Sequence, residues 1–330
     1  MPATVLRLIQ IGDENTWGTA TKSTAKVMGI TAADFSQTND VESVANLGNS
    51  MPSTQSILNK TSAEGTITQR GSYQDLTYWL HGLFGVVAAS AAANSTYAYK
   101  YSAPAATAVV VGKPFSIEYG EPTSAAYRAS GMMVQSLNIK GDADSGQIEV
   151  TAKLSGKTLE ANTMTTGLAV RAVDLLRFPD ATLFVDPEAG PAGTTAVPAT
   201  LISYDLTVSP GLHMKWFAGS ATPADKGTDR WEGTLTTVLE FNAASKAYVD
   251  ASFTAAVRRI ISLKVTTGAT TALRTLQIDF GGTLTGAVKL FDDRDGNMTV
   301  SLTWTGIYNA AASMLTWLKF YDKHDLDVMP

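Results

Sequence analysis

Apolar and polar residues alternate with period two in several separate runs of this chain, the pattern of strands that bury one face. Phe115, Ile117 and Tyr119 fall on one side of such a run, with Ser116 and Glu118 on the other. Val134–Lys140 and Ile148–Leu154 alternate in the same way. Between them lies Asp142-Ala143-Asp144-Ser145-Gly146, which supplies turn chemistry, so the spacing predicts a β-hairpin. Thr66-Ile67-Thr68 reads as a further strand. Helical spacing is rarer. Leu76, Trp79, Leu80, Leu83 and Phe84 recur at helical intervals, Ser72 can cap them with Asp75 in a box-like position, and Gly85 fits the stop. This predicts a short amphipathic helix packed on a sheet. Ala310, Met314, Trp317, Leu318 and Tyr321 share one face of another predicted helix over 310–321. The polar segment 322–330 after it is expected to dock on a neighbour or fray.

The order of elements recurs in the second half. Glu64-Gly65-Thr66-Ile67-Thr68 is echoed by Glu232-Gly233-Thr234-Leu235-Thr236, and a segment able to form a helix follows each, the second being Asn242–Phe253. Phe115–Gly120 is echoed by Ile261–Val265. The hairpin recurs as Leu276–Phe280, a longer linker, a turn at Asp292–Asn297 and an alternating run Met298–Trp304. Several elements in one order are harder to reach by chance than any single match. The expectation is a mainly β chain with two similar antiparallel β-sandwich or tube-type domains, each flanked by a short helix. Its expected divisions are an N-terminal segment and extended arm over 1–60, a first domain over 61–180, and a second over 181–330 with a C-terminal helix and tail. The domains would join near the Pro/Gly-rich stretch Pro187–Pro198.

Residues 34–60 break the pattern. They are rich in Ser, Thr and Asn, with Gly48 and Pro52 as punctuation, and read as a long arm or loop of the kind that contacts another subunit. Charged residues make up 17% of the chain, below the roughly 25% typical of soluble domains. Thr, Ser, Ala and Gly fill the gap, which suits a surface partly covered by neighbours, because hydroxyls tolerate burial better than Lys or Glu. The net charge of −5, with nothing more basic than Arg258-Arg259, argues against a protein that grips nucleic acid. Cysteine is absent, which excludes disulfides, thiolate zinc sites and thiol nucleophiles. No basic leader opens the chain and Gly82–Ala93 is too short to span a bilayer, so a protein without membrane anchor or export is expected.

Candidate chemistry is thin. His81, His213 and His324 are scattered, and the run Asp322, His324, Asp325, Asp327 reads as a solvated acidic tail. The segment Asp292–Asn297 fails as a calcium loop, since Phe291 stands where the first ligand belongs and Leu302 where the bidentate Glu belongs. A tight turn explains it, as it does Asp142 and Asp144. No G-x-S-x-G, P-loop or H-E-x-x-H occurs. No enzyme, cofactor or metal is expected. A β-sandwich binding module, adhesin or carbohydrate-binding, would need an aromatic platform, yet Trp17, Trp79, Trp216, Trp231, Trp304 and Trp317 are dispersed.

Three segments resemble a known family. Ile11-Gly12-Asp13-Glu14-Asn15-Thr16-Trp17-Gly18-Thr19 is similar to the start of many tail tube proteins of siphophages, the phages with long non-contractile tails. Glu64–Gly85 resembles their early strand-helix unit, and Gly131–Gly156 their strand-turn-strand stretch. The resemblance implies packed antiparallel sheets that join edge to edge into a ring with a β-barrel lumen. Rings stack into a tube that conducts genomic DNA during ejection without binding it specifically. It implies a virion tail protein assembled in the host cytoplasm, meeting tape measure, tail terminator and distal tail proteins. Single-domain members form hexamers, so a doubled chain would form a trimeric pseudo-hexameric ring, with the hexamer as the alternative. Glu118, Glu149 and Asp279, on alternating strands, are the candidate lumen-facing acidic residues.

Overall fold

The computed structural model describes residues 7–45, 47–48, 52–53, 55–92, 96–104, 111–122, 125–197, 200–252, 256–268, 273–285, 289–294, 296–309 and 318–324. The elements up to residue 162 are β1 (Leu8–Asp13), β2 (Ala25–Lys26), β3 (Ile30–Val44), β4 (Gln55–Arg70), α1 (Tyr73–Phe84), β5 (Ser90–Ala92), β6 (Thr96–Ser102), β7 (Phe115–Glu121), β8 (Ala125–Asp142), β9 (Gln147–Gly156) and β10 (Thr158–Asn162). The remainder are β11 (Ala181–Pro187), β12 (Leu201–Ser209), β13 (Leu212–Lys215), β14 (Asp225–Thr228), β15 (Glu232–Glu240), α2 (Ala243–Ser252), β16 (Arg258–Thr267), β17 (Arg274–Leu284), β18 (Lys289–Arg294), β19 (Asn297–Gly306) and β20 (Leu318–His324). Among the described residues the chain is mainly β, with antiparallel ladders and two short α-helices.

Eight strands lie side by side in the order β3-β4-β9-β8-β12-β15-β19-β18. A second layer has two pieces, β2-β1-β7-β8-β10 and β11-β16-β17-β20-β6-β5. Strand β8 serves both layers. Its residues 125–132 pair in the second layer and 133–142 in the first, and Gly131 at φ +67 with a bulge after Val134 marks the crossing. A side chain at that φ would be strained, and bulges are how one strand turns a corner between layers. The sheet residues Ile67, Leu154, Ile139, Leu206, Leu235 and Trp304 all point into one core, which the second layer and α1 complete.

Helix α1 is buried along its whole length. Its cap is the one expected, with the Asp75 N–H donating to Ser72 Oγ at 3.1 Å, and Gly85 at φ +85 ends it. A strap over residues 163–177 closes on its first turn. The Gln74 amide donates to Asp174 Oδ2 at 2.9 Å and accepts from the Asp174 N–H. Arg171 reaches the buried Asp75 carboxylate at 2.5 Å. Burial lifts the Asp75 carboxyl above its ordinary value, and Arg171 is the largest influence opposing that rise. Among the described residues no helix is long and apolar enough to cross a membrane.

The expected hairpin is β8–β9, with Asp142 opposite Gln147. Four expectations need correction. Residues 34–60 are no loose arm: most belong to β3 and β4, which pair from Ile30/Gln69 out to Val44/Gln55 as one long hairpin. Leu318–Tyr321 are not helical but open β20, while 310–317 lie outside the described residues. The polar run after them is not solvated at its start, since Asp322 and His324 are fully buried in β20; 325–330 lie outside the described residues. Finally, β7 buries both faces, Ser116 and Glu118 included, because connecting segments close on its polar side, Glu14 and Thr21 at Ser116 and Asn162 and Thr165 at Glu118.

Candidate functional site

The eight-stranded sheet has a core face and a wet face, and the wet face runs unbroken across it. Successive strands place Thr68, Thr151, Asn138, Thr207, Thr234 and Thr305 in one cross-strand row. The neighbouring row reads Arg70, Glu149, Lys140, Asp205, Thr236 and Thr303. Hydroxyls bond across it, Thr68 to Thr151 at 3.1 Å and Thr236 to Thr303 at 3.3 Å. The Asn138 amide donates to Asp205 Oδ1 at 2.5 Å and Thr207 Oγ1 at 2.9 Å, stitching β8 to β12. No aromatic side chain interrupts either row. Such a surface is hydrated and hydrogen-bonded laterally, and offers nothing for a base or sugar ring to stack on.

Among the described residues no second strand flanks either of its two outermost strands. Among the described residues β3 pairs only with β4, and β18 only with β19. An open edge presents a row of unpaired N–H and C=O groups, a template for another chain. The outer part of the β3–β4 hairpin is exposed on both faces, on β3 from Ser36 to Ser43 and on β4 from Gln55 to Lys60. Its outer half carries Val41, Ile57 and Leu58, each about half exposed. At its base the Thr61 N–H donates to the Ala221 carbonyl at 2.9 Å, and Lys60 lies over the Trp216 ring.

The segments 11–19 and 131–156, far apart in sequence, meet. Glu14, 1% exposed, accepts from the Ser116 hydroxyl at 2.7 Å and from the N–H groups of Gly18 and Gly131 at 2.7 and 2.8 Å. The Trp17 indole N–H donates to the Gly131 carbonyl at 2.9 Å. One carboxylate and one indole thus latch the turn after β1 onto the corner of β8, and Lys157 and Lys226 lie over the Trp17 ring. A family model described as "Phage tail tube protein" matches residues 5–306 and therefore covers the latch, the long hairpin and nearly all of the eight-stranded sheet. The chain belongs to the phage tail tube protein family. No curated protein sequence matches it.

A tail tube protein is a structural component of the phage tail, located in the virion and non-enzymatic, and it works as an oligomer assembled into a tube. In this tail tube subunit the three carboxylates singled out from sequence do not come together. Glu149 stands exposed on the wet face. Glu118 lies in the second layer at 1% exposure, accepting from the Thr165 N–H at 2.8 Å and from the Asn162 amide at 3.2 Å. Asp279 lies there too, half-buried, accepting from Ser262 at 2.7 Å and Gln277 at 2.9 Å. Alternation identified a polar side of β7 and β17 but could not reveal the chain segments that cover it. Sequence reasoning missed Glu14 as a functional position; the glycines at 18 and 131, both at positive φ, are the signal that a tight junction needed them. His81 is packed between the rings of Tyr99 and Tyr101. Burial pulls its imidazole down to about 4 and so leaves it neutral at pH 7. Among the described residues no three His, Asp or Glu are grouped to hold a metal.

Proposed function

We propose that this tail tube subunit forms rings of three chains, each chain supplying two equivalent units. In that ring the wet face of the eight-stranded sheet lines the lumen, and stacked rings make the tube of a long non-contractile tail. One observation carries the reading, the sameness of the ladders in the two halves. In the first, β3 pairs β4, β4 pairs β9, β8 pairs both β9 and β7, β7 pairs β1, and β10 returns to β8. In the second, β12 pairs β15, β15 pairs β19, β17 pairs both β19 and β16, β16 pairs β11, and β20 returns to β17. A helix follows β4 and β15, capped in each case by a side-chain oxygen, Ser72 Oγ or Asn242 Oδ1, that accepts the N–H three residues on. Six ladders and a capped helix in one order support two copies of one tube unit, and two units per chain make a six-unit ring from three chains.

The wet face suits a conduit. Its exposed carboxylates Glu64, Glu149, Asp205, Glu232 and Glu240 outnumber Arg70, Lys140 and Lys153. A lumen with that balance repels phosphate, so DNA slides without adhering. Of the three carboxylates expected there, Glu149 is the one we keep in the lumen. The projecting β3–β4 hairpin, with its half-exposed aliphatics, supports contact with the adjacent ring, and tape measure, terminator and distal tail proteins would be the tube's other partners. Negative-stain electron microscopy over a concentration range, with the mass of the smallest ring in solution, tests this. Hollow tubes whose rings hold three chains are expected. Rings of six chains would overturn the stoichiometry, and a chain that stays monomeric at all concentrations would overturn the tube reading.

A further inference from the structure

The junction between β8 and β12 inside the chain shows what the two open edges lack. Lys140 on β8 stands opposite Glu149 on β9 and, on its other side, opposite Asp205 on β12. Strand β18 lies against β19 in the corresponding way, Asp292 opposite Thr299, but nothing occupies its other side among the described residues. Strand β3 lies against β4 as β12 lies against β15: Asp34 faces Thr66 as Asp205 faces Thr236. There too no second strand pairs with β3 among the described residues, where β12 has β8; the Tyr119 hydroxyl alone reaches in, donating to the Ala33 carbonyl at 3.3 Å. A groove of about 470 Å³ beside Ile30–Ala33, walled by Arg7, Ile9 and Tyr119, leaves that side of β3 accessible. The two vacancies are the two halves of one junction.

We propose that β18 of one chain pairs antiparallel with β3 of the next, with Asp292 directly opposite Asp34, reproducing the internal β8–β12 ladder between copies. The inference rests on the ring reading above and adds its partner and its register. Each chain presents one edge of each kind, so the contact is head-to-tail, and repetition closes a ring instead of stopping at a dimer. It makes the eight-stranded sheets of successive chains one continuous wall, with every edge paired.

The absence of cysteine makes the register directly testable. Directly opposed strand positions have Cα atoms about 4.5–5.5 Å apart, within disulfide reach. Asp34, Asp292, Lys140 and Asp205 are all exposed, so cysteines there should be tolerated. Oxidising assembled Asp34→Cys/Asp292→Cys protein should give, on non-reducing denaturing gels, a ladder ending at a closed three-chain species that reductant returns to monomer. Lys140→Cys/Asp205→Cys should close within one chain and calibrate the geometry. Asp34→Cys/Asp293→Cys, which places the thiols on opposite faces, should stay unlinked. Should the double variant fold poorly, mixing the two single-cysteine chains should give linked dimers only. Rings that form while the internal pair closes and Asp34/Asp292 does not would overturn this register and leave the tube reading intact. A wild-type chain that forms no rings would overturn both.

Discussion

His81 should make this subunit acid-labile in a defined window. Its ring is fully buried on α1, where desolvation is the main influence lowering its pKa to about 4; a bond to the Val87 backbone opposes the shift and Lys113 adds slightly to it. In the unfolded chain the imidazole regains its ordinary value near 6.5. Between those values the unfolded state binds a proton that the folded state excludes, so stability falls as pH drops from about 6.5 towards about 4. At about 1.4 kcal/mol per unit the whole window is worth roughly 3 kcal/mol, and about 2 kcal/mol of it is lost by pH 5. Substituting His81→Leu removes the titration at nearly constant volume and helix propensity, at a cost of about 1 kcal/mol at pH 7 for the lost Val87 bond. The two stability curves should therefore cross near pH 6, with the variant the more stable below it. Urea unfolding of dilute protein, followed by tryptophan fluorescence at several pH values, measures both curves. Other titrating groups, Asp322 among them, shift the two proteins alike and cancel in the difference. Parallel curves for wild type and variant from pH 7 to about pH 4.5 would refute a buried neutral imidazole.

Arg171→Ala should strand the Asp75 carboxylate and cost about 3 kcal/mol at neutral pH; the loss should shrink in acid, as Asp75 takes up a proton, in the same urea assay. Gly82→Ala should destabilise by about 1–3 kcal/mol despite better helix propensity, because a Cβ there would come within 2.6 Å of Val134 Cγ2 and 2.7 Å of Phe115 Cε2; a gain in Tm would refute that packing. Burial drives the Asp322 carboxyl well above its ordinary value, against a hydrogen bond from Thr77. The folded state there favours the proton, so stability declines as pH rises through the folded pKa, and Asp322→Asn should raise Tm at pH 7 with the gain vanishing in acid. Asp292→Lys would restore across the proposed interface the opposite charges found at Lys140 and Asp205, and should lower the concentration needed for tube formation severalfold, at about 0.2–1 kcal/mol per cross-strand pair; light scattering against concentration reads it.

How far the fold could be read from sequence depended on whether a segment has one buried face. The β8–β9 hairpin, α1 with its Ser72 cap, α2, β16, β17 and β19 were all legible, because each pairs an apolar rhythm with clear end signals. The β3–β4 hairpin was not. On β3 beyond Ser36 and on β4 from Gln55 to Lys60 both faces meet solvent, so there is no alternation to find, and a two-sided polar strand reads as loop. Strand β20 failed for the converse reason. Leu318, Phe320, Asp322 and His324 do alternate, but two of the four buried positions are polar, and Trp317 and Tyr321 completed a competing helical spacing. The echo of Glu64 in Glu232 and the proposed pairing of the two halves differ in register. If the caps Ser72 and Asn242 are set against each other, as the proposed duplication requires, Glu64, opposite Ser155, matches Thr234, opposite Thr305, two positions away from Glu232. Lumen candidates were harder still, because a polar position on a strand says nothing about which layer the strand joins.

The internal and proposed external junctions share a backbone and differ in charge, and the difference has a physical use. Lys140 against Asp205, with Asn138 bridging to Asp205 and Thr207, forms once per chain as it folds and need never open. An equally sticky external edge would join free subunits into open strings as soon as they were made, the hazard that unpaired edges carry. Aspartates opposed at positions 292 and 34 weaken each single contact by repulsion. A closed ring makes the last contact intramolecular, and stacking adds the hairpin contacts, so the sum can favour the tube where one contact alone does not. Polymerisation should then be steeply cooperative in wild type and markedly less so in Asp292→Lys, whose excess of open oligomers in the electron micrographs would be the sign that the repulsive pair restrains premature pairing.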